Sequence, residues 1–233
     1  PTVIGLIVAN VVCYVLQLLL LRAGLPVEDL YLQPSAVWSG AVWQLLTSLW
    51  LHSPAGPGHL LMNMLWLFMF GSPMERIWGP RRLLWGYLIF GLSGALFTLV
   101  VGSLPYPSFL MPFFDSAFTT RTLGASGAVT GITVAWGLAH AKSKMNFFLL
   151  GEMTGMTFVW LVIGIELLTA LSFSQVSSTS HLGGILGAFV LCRGLWRPSR
   201  WQQGARRLTL LRRKKQIEKQ LRVLSGGRDD LPN

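Results

Sequence analysis

Apolar residues fall along this chain in runs of helix length, separated by short breaks marked by Gly, Pro or charge. Six runs approach the roughly 20 mostly apolar residues that a bilayer-crossing helix needs. They cover residues 2–21, 58–78, 82–102, 125–141, 147–171 and 181–196. Ser, Gly and Glu interrupt the fourth and fifth, so those boundaries are the least defined. The longest connection, 22–57, has 36 residues and carries Trp38, Trp43 and Trp50 among Leu and Val. Indole rings favour the headgroup zone, so this loop is expected to lie partly in a leaflet; an ordinary interfacial loop is the alternative. The pattern predicts an all-α membrane protein, with a six-helix body over 1–196 and a tail over 197–233.

Composition agrees and adds direction. The 233 residues are 52% hydrophobic and 12% charged, with a formal net charge of +10. Soluble domains carry roughly 25% charged residues, so disorder is excluded for the body and a soluble enzyme is disfavoured. Residues 1–192 hold seven Lys/Arg and six Asp/Glu, whereas 193–233 hold twelve and three. Lys and Arg mark the cytoplasmic side. Arg76, Arg81 and Arg82, then Lys142 and Lys144, then the tail fall on one side of a six-span chain. Both termini are therefore expected in the cytoplasm and the 22–57 loop outside. Cys13 and Cys192 stand far apart in apolar surroundings and suggest neither a disulfide nor a zinc site. No metal and no cofactor is expected. No cleavable signal peptide is evident, and the start at Pro1 leaves the native N-terminus open.

The polar residues at the outer ends of the runs carry the candidate chemistry. His59 and Asn63 stand one turn apart near the start of the second run. Gly124-Ala125-Ser126-Gly127 opens the fourth, and Ser180-His181 opens the sixth. Polar groups inside membrane helices are costly and usually face the bundle interior. Gly127 and Gly131, and likewise Gly183 and Gly187, are spaced by four, which lets helix backbones approach closely. Packing the fourth run on the sixth along these faces would bring Ser126 beside His181. An imidazole in hydrogen-bond reach activates a serine hydroxyl. Gly124 and Gly127 would leave room for a substrate backbone, and the helix N-terminus at Ser126 would favour an oxyanion. Each residue has a plainer alternative: Ser126 as a packing residue, His181 as interfacial, His59 and Asn63 as capping or interhelical groups.

HLLMN at 59–63, FGSPMERIWG at 70–79, GASG at 124–127 and HLGG at 181–184, in that order, resemble the rhomboid intramembrane serine proteases. The resemblance covers roughly residues 1–196. It implies a six-transmembrane-helix bundle with a membrane-embedded first exterior loop, and a serine endopeptidase that cuts in or near transmembrane segments of other proteins. It implies Ser126 as nucleophile and His181 as general base in a dyad without a third carboxylate. His59 and Asn63 would stabilise the oxyanion, and Gly124 and Gly127 would form the active-site backbone. Gly131, Gly183, Gly184 and Gly187 would pack helices, and Glu75 and Gly79 would form a structural loop. The fifth run and 172–180 would gate and cap the site. A bacterial inner membrane fits the compact core. A silent relative that escorts transmembrane helices, and a small transporter or channel, are the alternatives.

Three positions depart from the family pattern. Gln44 replaces an Arg after Trp43, Thr130 replaces an aromatic that stacks on the histidine, and Ala188 replaces a glycine. Two acids also stand in apolar runs. Glu152 reads as interfacial at the cytoplasmic end of the fifth. Glu166, deeper, is expected to be protonated, bonded to a neighbouring helix or turned to a water-filled cavity, and a part in gating is a further alternative. No carboxylate partner for His181 is evident. In the tail, Leu210, Ile217, Leu221 and Leu224 share one face among Arg and Lys, as in a basic amphipathic helix lying on an anionic inner leaflet. A solvated tail is the alternative, and nucleic-acid binding is not expected.

Overall fold

The computed structural model describes residues 1–105, 117–147, 151–171, 176–194, 210–211 and 213–218. It divides into two units, Pro1–Cys192 and Arg193–Asn233. Of the second unit, 210–211 and 213–218 are helical and exposed, and Lys214 pairs with Glu218 one turn on at 3.7 Å. Leu221 and Leu224 lie outside the described residues.

The first unit is predominantly helical. It opens with α1 (Thr2–Arg22). The 22–57 connection folds into a single-turn 3-10 helix at Val27–Leu30, then α2 (Pro34–Trp38), α3 (Gln44–Thr47) and a second 3-10 turn at Ser48–Trp50. Next, α4 (Gly58–Trp66), a π-helical turn (Leu67–Gly71) and α5 (Ser72–Trp78) follow without a break and cover the expected second run. Gly79 reverses the chain at a φ of 78°, a left-handed conformation that favours glycine, and Pro80 starts α6 (Pro80–Gly102). The remaining helices are α7 (Ser126–Ala139), α8 (Gly155–Leu171) and α9 (Val176–Cys192). Only α1 and α6 among the described helices are long and apolar enough by themselves to cross a membrane; the apolar stretches of α7, α8 and α9 are shorter.

Two boundaries differ from expectation. Residues 144–154 are not the start of the fifth helix. Lys144–Phe147 (β1) pairs antiparallel with Gly151–Thr154 (β2), and Gly151 takes a φ of 76°, which interrupts a helix. Glu152 therefore sits on an exposed strand, 3.5 Å from Lys144, rather than at a helix end. The sixth helix begins at Val176 rather than 181. Its first turns are rich in Ser and Thr, and two of their hydroxyls bond neighbouring helices, Thr179 to Thr98 at 2.9 Å and Ser178 to Thr169 at 3.2 Å. His181 thus stands in the second turn of α9, not at its start.

Small residues decide which helices meet. A Cβ added at Gly184 would run into the Gly127 carbonyl, so α7 and α9 touch backbone to backbone there. Gly183 and Gly187 instead face α6, where a Cβ would come 2.6 Å from the Ser93 carbonyl and 2.7 Å from the Ser93 hydroxyl respectively. Gly131 faces Phe90 of α6. The expected direct packing of the two four-spaced glycine faces is therefore corrected. The α7–α9 contact runs through Gly127 and Gly184, while Gly131, Gly183 and Gly187 make room for α6. The reason is geometric: three helices share one core, and each glycine's rotation about its axis selects its neighbour. Ala188, fully buried, is accommodated in that core.

Around this core the remaining pieces are fastened by polar side chains. Glu75 accepts the backbone N–H of Thr2 at 2.5 Å and of Val3 at 3.1 Å, tying α5 to the first turn of α1. Gln44, buried, accepts the Gln33 N–H at 2.9 Å and donates to the Asp29 carbonyl at 3.1 Å. A neutral amide thus anchors the loop where a charged residue was expected to be missed.

Candidate active site

His59 is the second residue of α4, and Asn63 follows one turn later on the same face. Ser126 is the first residue of α7. His181 projects from α9. All four side chains line one cavity of about 410 Å³. Met62 and Trp66 of α4, Val129, Thr130 and Thr133 of α7, and Val162, Ile165 and Glu166 of α8 complete its wall. The structure therefore brings the four candidate side chains Ser126, His181, His59 and Asn63 together, and adds α8 as a fourth wall.

Ser126 owes its exposure to the cavity to the turn before it. Gly124 has a φ of 128°, and its N–H donates to the Ser48 carbonyl at 2.9 Å. A Cβ at 124 would lie 2.8 Å from His59 Cε1, 3.0 Å from His59 Nε2 and 3.6 Å from Ser126 Oγ. Glycine is thus required there twice, for its backbone angle and for the space between the two side chains. The N–H groups of the first turn of α7 have no intrahelical acceptor and point, with the positive end of the helix dipole, toward the start of the helix.

The tautomer of His59 follows from its partners. Its Nδ1 accepts the Ser53 backbone N–H at 3.4 Å, so the neutral ring carries its proton on Nε2, the edge beside Gly124 and Ser126. Asn63 donates to the His59 carbonyl at 3.0 Å, which leaves its second amide hydrogen for the cavity.

His181 has its Nδ1 2.8 Å from Oε2 of Glu166. Its Nε2 is buried with no partner among the described residues. This corrects the expectation that His181 lacks a carboxylate. Of the readings open for Glu166, the bond to a neighbouring helix is the one observed, and Glu166 also reaches the cavity. No hydrogen bond joins Ser126 Oγ to His181 among the described residues; such contacts are often long without substrate and tighten in the complex.

His52 was not singled out in the sequence. It is fully buried, its ring centroid is 5.1 Å from that of His59, and neither ring nitrogen has a partner among the described residues. Burial, reinforced by the nearby His59, lowers its pKa to about 4, so it stays neutral behind the site. Gln17 of α1 holds its backbone in both directions, donating to the His52 carbonyl at 2.7 Å and accepting its N–H at 3.0 Å. A second imidazole seven residues before His59, and Gln17 as one of two amides in the apolar α1, were the available signals. No group of three or more metal-ligating side chains is present among the described residues.

A family profile described as "Rhomboid domain" matches residues 39–198. The chain is 33% identical over 175 residues to "Rhomboid protease GluP" of Bacillus subtilis (strain 168), covering 75% of this chain and 30% of that protein. It is 29% identical over 188 residues to "RHOMBOID-like protein 12, mitochondrial" of Arabidopsis thaliana, covering 78% and 54%. With "Putative rhomboid protease YdcA" of Bacillus subtilis (strain 168) it shares 29% over 155 residues, covering 66% and 68%. The chain thus spans from under a third to about half the length of the first two relatives.

Proposed function

Because this chain belongs to the rhomboid family, we propose that it is an intramembrane serine endopeptidase in which Ser126 is the nucleophile and His181 the general base. The observation that carries this reading is the one cavity holding Ser126, His181, His59 and Asn63, with His181 Nε2 buried and without a partner among the described residues. The family is integral to membranes, and six spans are the reading that places this cavity inside a bilayer. The α4–π–α5 stretch supplies the second span. Exposed apolar side chains, among them Val12, Leu16 and Leu19 of α1 and Trp160 and Leu168 of α8, would face lipid. Trp38, Val42, Trp43 and Leu46 give the 22–57 loop an exposed apolar surface suited to a leaflet. The basic loops and tail would then lie in the cytoplasm, with the tail against anionic lipid. Relatives in a bacterium and in plants leave the choice of membrane open.

The reaction uses these groups in sequence. Ser126 Oγ attacks the carbonyl carbon of a peptide bond in or near a substrate's transmembrane segment, and its proton passes to His181 Nε2. The resulting oxyanion is stabilised by the N–H groups at the start of α7, by His59 Nε2–H and by the free amide hydrogen of Asn63. As the C–N bond breaks, the departing amine takes the proton from His181. Water then attacks the acyl-serine, His181 accepts its proton and returns it to Ser126, and the new carboxyl terminus leaves. The cavity wall is largely apolar, so these donors act where bulk water is scarce.

Cleavage of a transmembrane reporter by the purified protein tests the reading. Ser126→Ala and His181→Ala should each abolish cleavage while the protein remains folded. Undiminished cleavage by folded Ser126→Ala would refute the assignment. A folded wild-type protein that binds the reporter without cutting it would favour the silent helix-binding relative.

A further inference from the structure

We propose that Glu166 is a positioning residue for His181, so that the site works as a Ser126–His181–Glu166 arrangement rather than a dyad; this rests on the protease reading above. The carboxylate and imidazole are 2.8 Å apart, with side chains only 15% and 19% exposed. At that burial a charge-assisted hydrogen bond is far less diluted by solvent than at a surface.

The bond fixes which nitrogen is the base. An ionised Glu166 accepts from Nδ1–H and leaves the lone pair on Nε2, the atom that lacks a partner. A protonated Glu166 would donate to Nδ1 and put the ring proton on Nε2, where no acceptor receives it and no base remains for Ser126. The carboxylate also stabilises the imidazolium that forms as Ser126 attacks.

The surrounding structure holds Glu166 at this depth. One turn away, Ser178 donates to Thr169 at 3.2 Å, so α8 and α9 are joined at two successive levels. Thr130, in the wall one turn beyond Ser126, offers no ring to stack on the imidazole, so the hydrogen bond to Glu166 is what orients it. Among the described residues, the titratable groups facing His181 are Glu166 from α8 and His59 from α4. α7 carries none, and α6 presents Ser93, Gly94, Phe97 and Thr98 to α9.

The test measures labelling by a fluorophosphonate, and kcat and KM for a transmembrane reporter. It compares full-chain wild type, Ser126→Ala, Glu166→Gln, Glu166→Ala and Glu166→Asp. In Glu166→Gln, kcat and labelling should fall about a hundredfold at unchanged KM, because the amide can donate to Nδ1 and drive the proton to Nε2. Gln should therefore be no better than Ala, while Asp retains part of the rate. A structural role alone predicts Gln close to wild type and Ala worst, and that result overturns the proposal while leaving the protease reading intact. If Glu166→Gln does not fold, Asp decides: a reduced kcat at unchanged KM supports the proposal, and wild-type kcat overturns it. Wild type that is not labelled, or labelling that survives Ser126→Ala, overturns the protease reading and this inference with it.

Discussion

The two ends of α8 are fastened in different ways. At one end a Cβ on Gly155 would come 2.5 Å from the carbonyl oxygens of both Gly137 and His140, so backbone meets backbone. Val159 is fully buried there, and the Phe158 ring packs with Phe70 and Trp136 at centroid distances of 5.5 and 5.8 Å. Toward the other end Ile165, Leu167 and Leu168 are exposed, and Gly164 has open space where a Cβ would be. What joins that end to α9 is polar: Glu166 to His181 and Thr169 to Ser178. Shape complementarity positions the first end. Hydrogen bonds position the second, and one of them involves the proposed general base. Such packing is non-specific in chemistry but unforgiving in volume, whereas hydrogen bonds tolerate volume and fail when a single atom is removed.

Substitutions at the two ends should separate these behaviours. Gly155→Val should have the largest effect on stability, about 3 kcal/mol, because the carbonyls it meets are backbone and yield little; the thermal midpoint in detergent measures it. A midpoint within a degree or two of wild type would mean that the tight end is not tight. Thr169→Val should cost about 1 kcal/mol by leaving the buried Ser178 hydroxyl without its partner. It should also lower kcat less than Glu166→Gln does, since it leaves the His181 bond in place. Equal losses in the two variants would show that the two polar links act only as one structural clamp. Gly164→Ala should change the midpoint least, by about 0.5 kcal/mol or less, and in the favourable direction through helix propensity.

Much of this was legible in the sequence, for reasons that particular residues make clear. The run at 58–78 appears as one continuous helical stretch, because a π turn at Leu67–Gly71 changes pitch without ending it. Ser126, His181, His59 and Asn63 were found because polar groups are costly in apolar runs. The pairing of the glycines was not legible, since spacing shows that a face is small but not which neighbour it meets. The start of α8 was misplaced because Phe147 and the apolar residues after it extend hydropathy up to Gly151–Thr154, which pairs as a strand with Lys144–Phe147.

Glu166 carried a signal that was only half used. Glu166 lies five residues before Leu171 and His181 five after Val176, so two consecutive antiparallel helices place them at one level. Matching depth across a short connection points to contact. Rotation of each helix about its axis, which tertiary packing sets, decides whether the contact forms. His52 and Gln17 were missed for the same reason. Their link, through the His52 backbone, joins α1 to the start of α4 across 35 positions of sequence, and no local pattern encodes it.

The proposed reaction depends above all on Ser126 being an activated nucleophile. Fluorophosphonate treatment of the purified protein, followed by peptide mass spectrometry, tests it most directly. The predicted result is one adduct on Ser126, lost in His181→Ala although that variant remains folded. An adduct confined to other residues, no adduct on folded wild type, or undiminished modification of Ser126 without His181 would contradict the account.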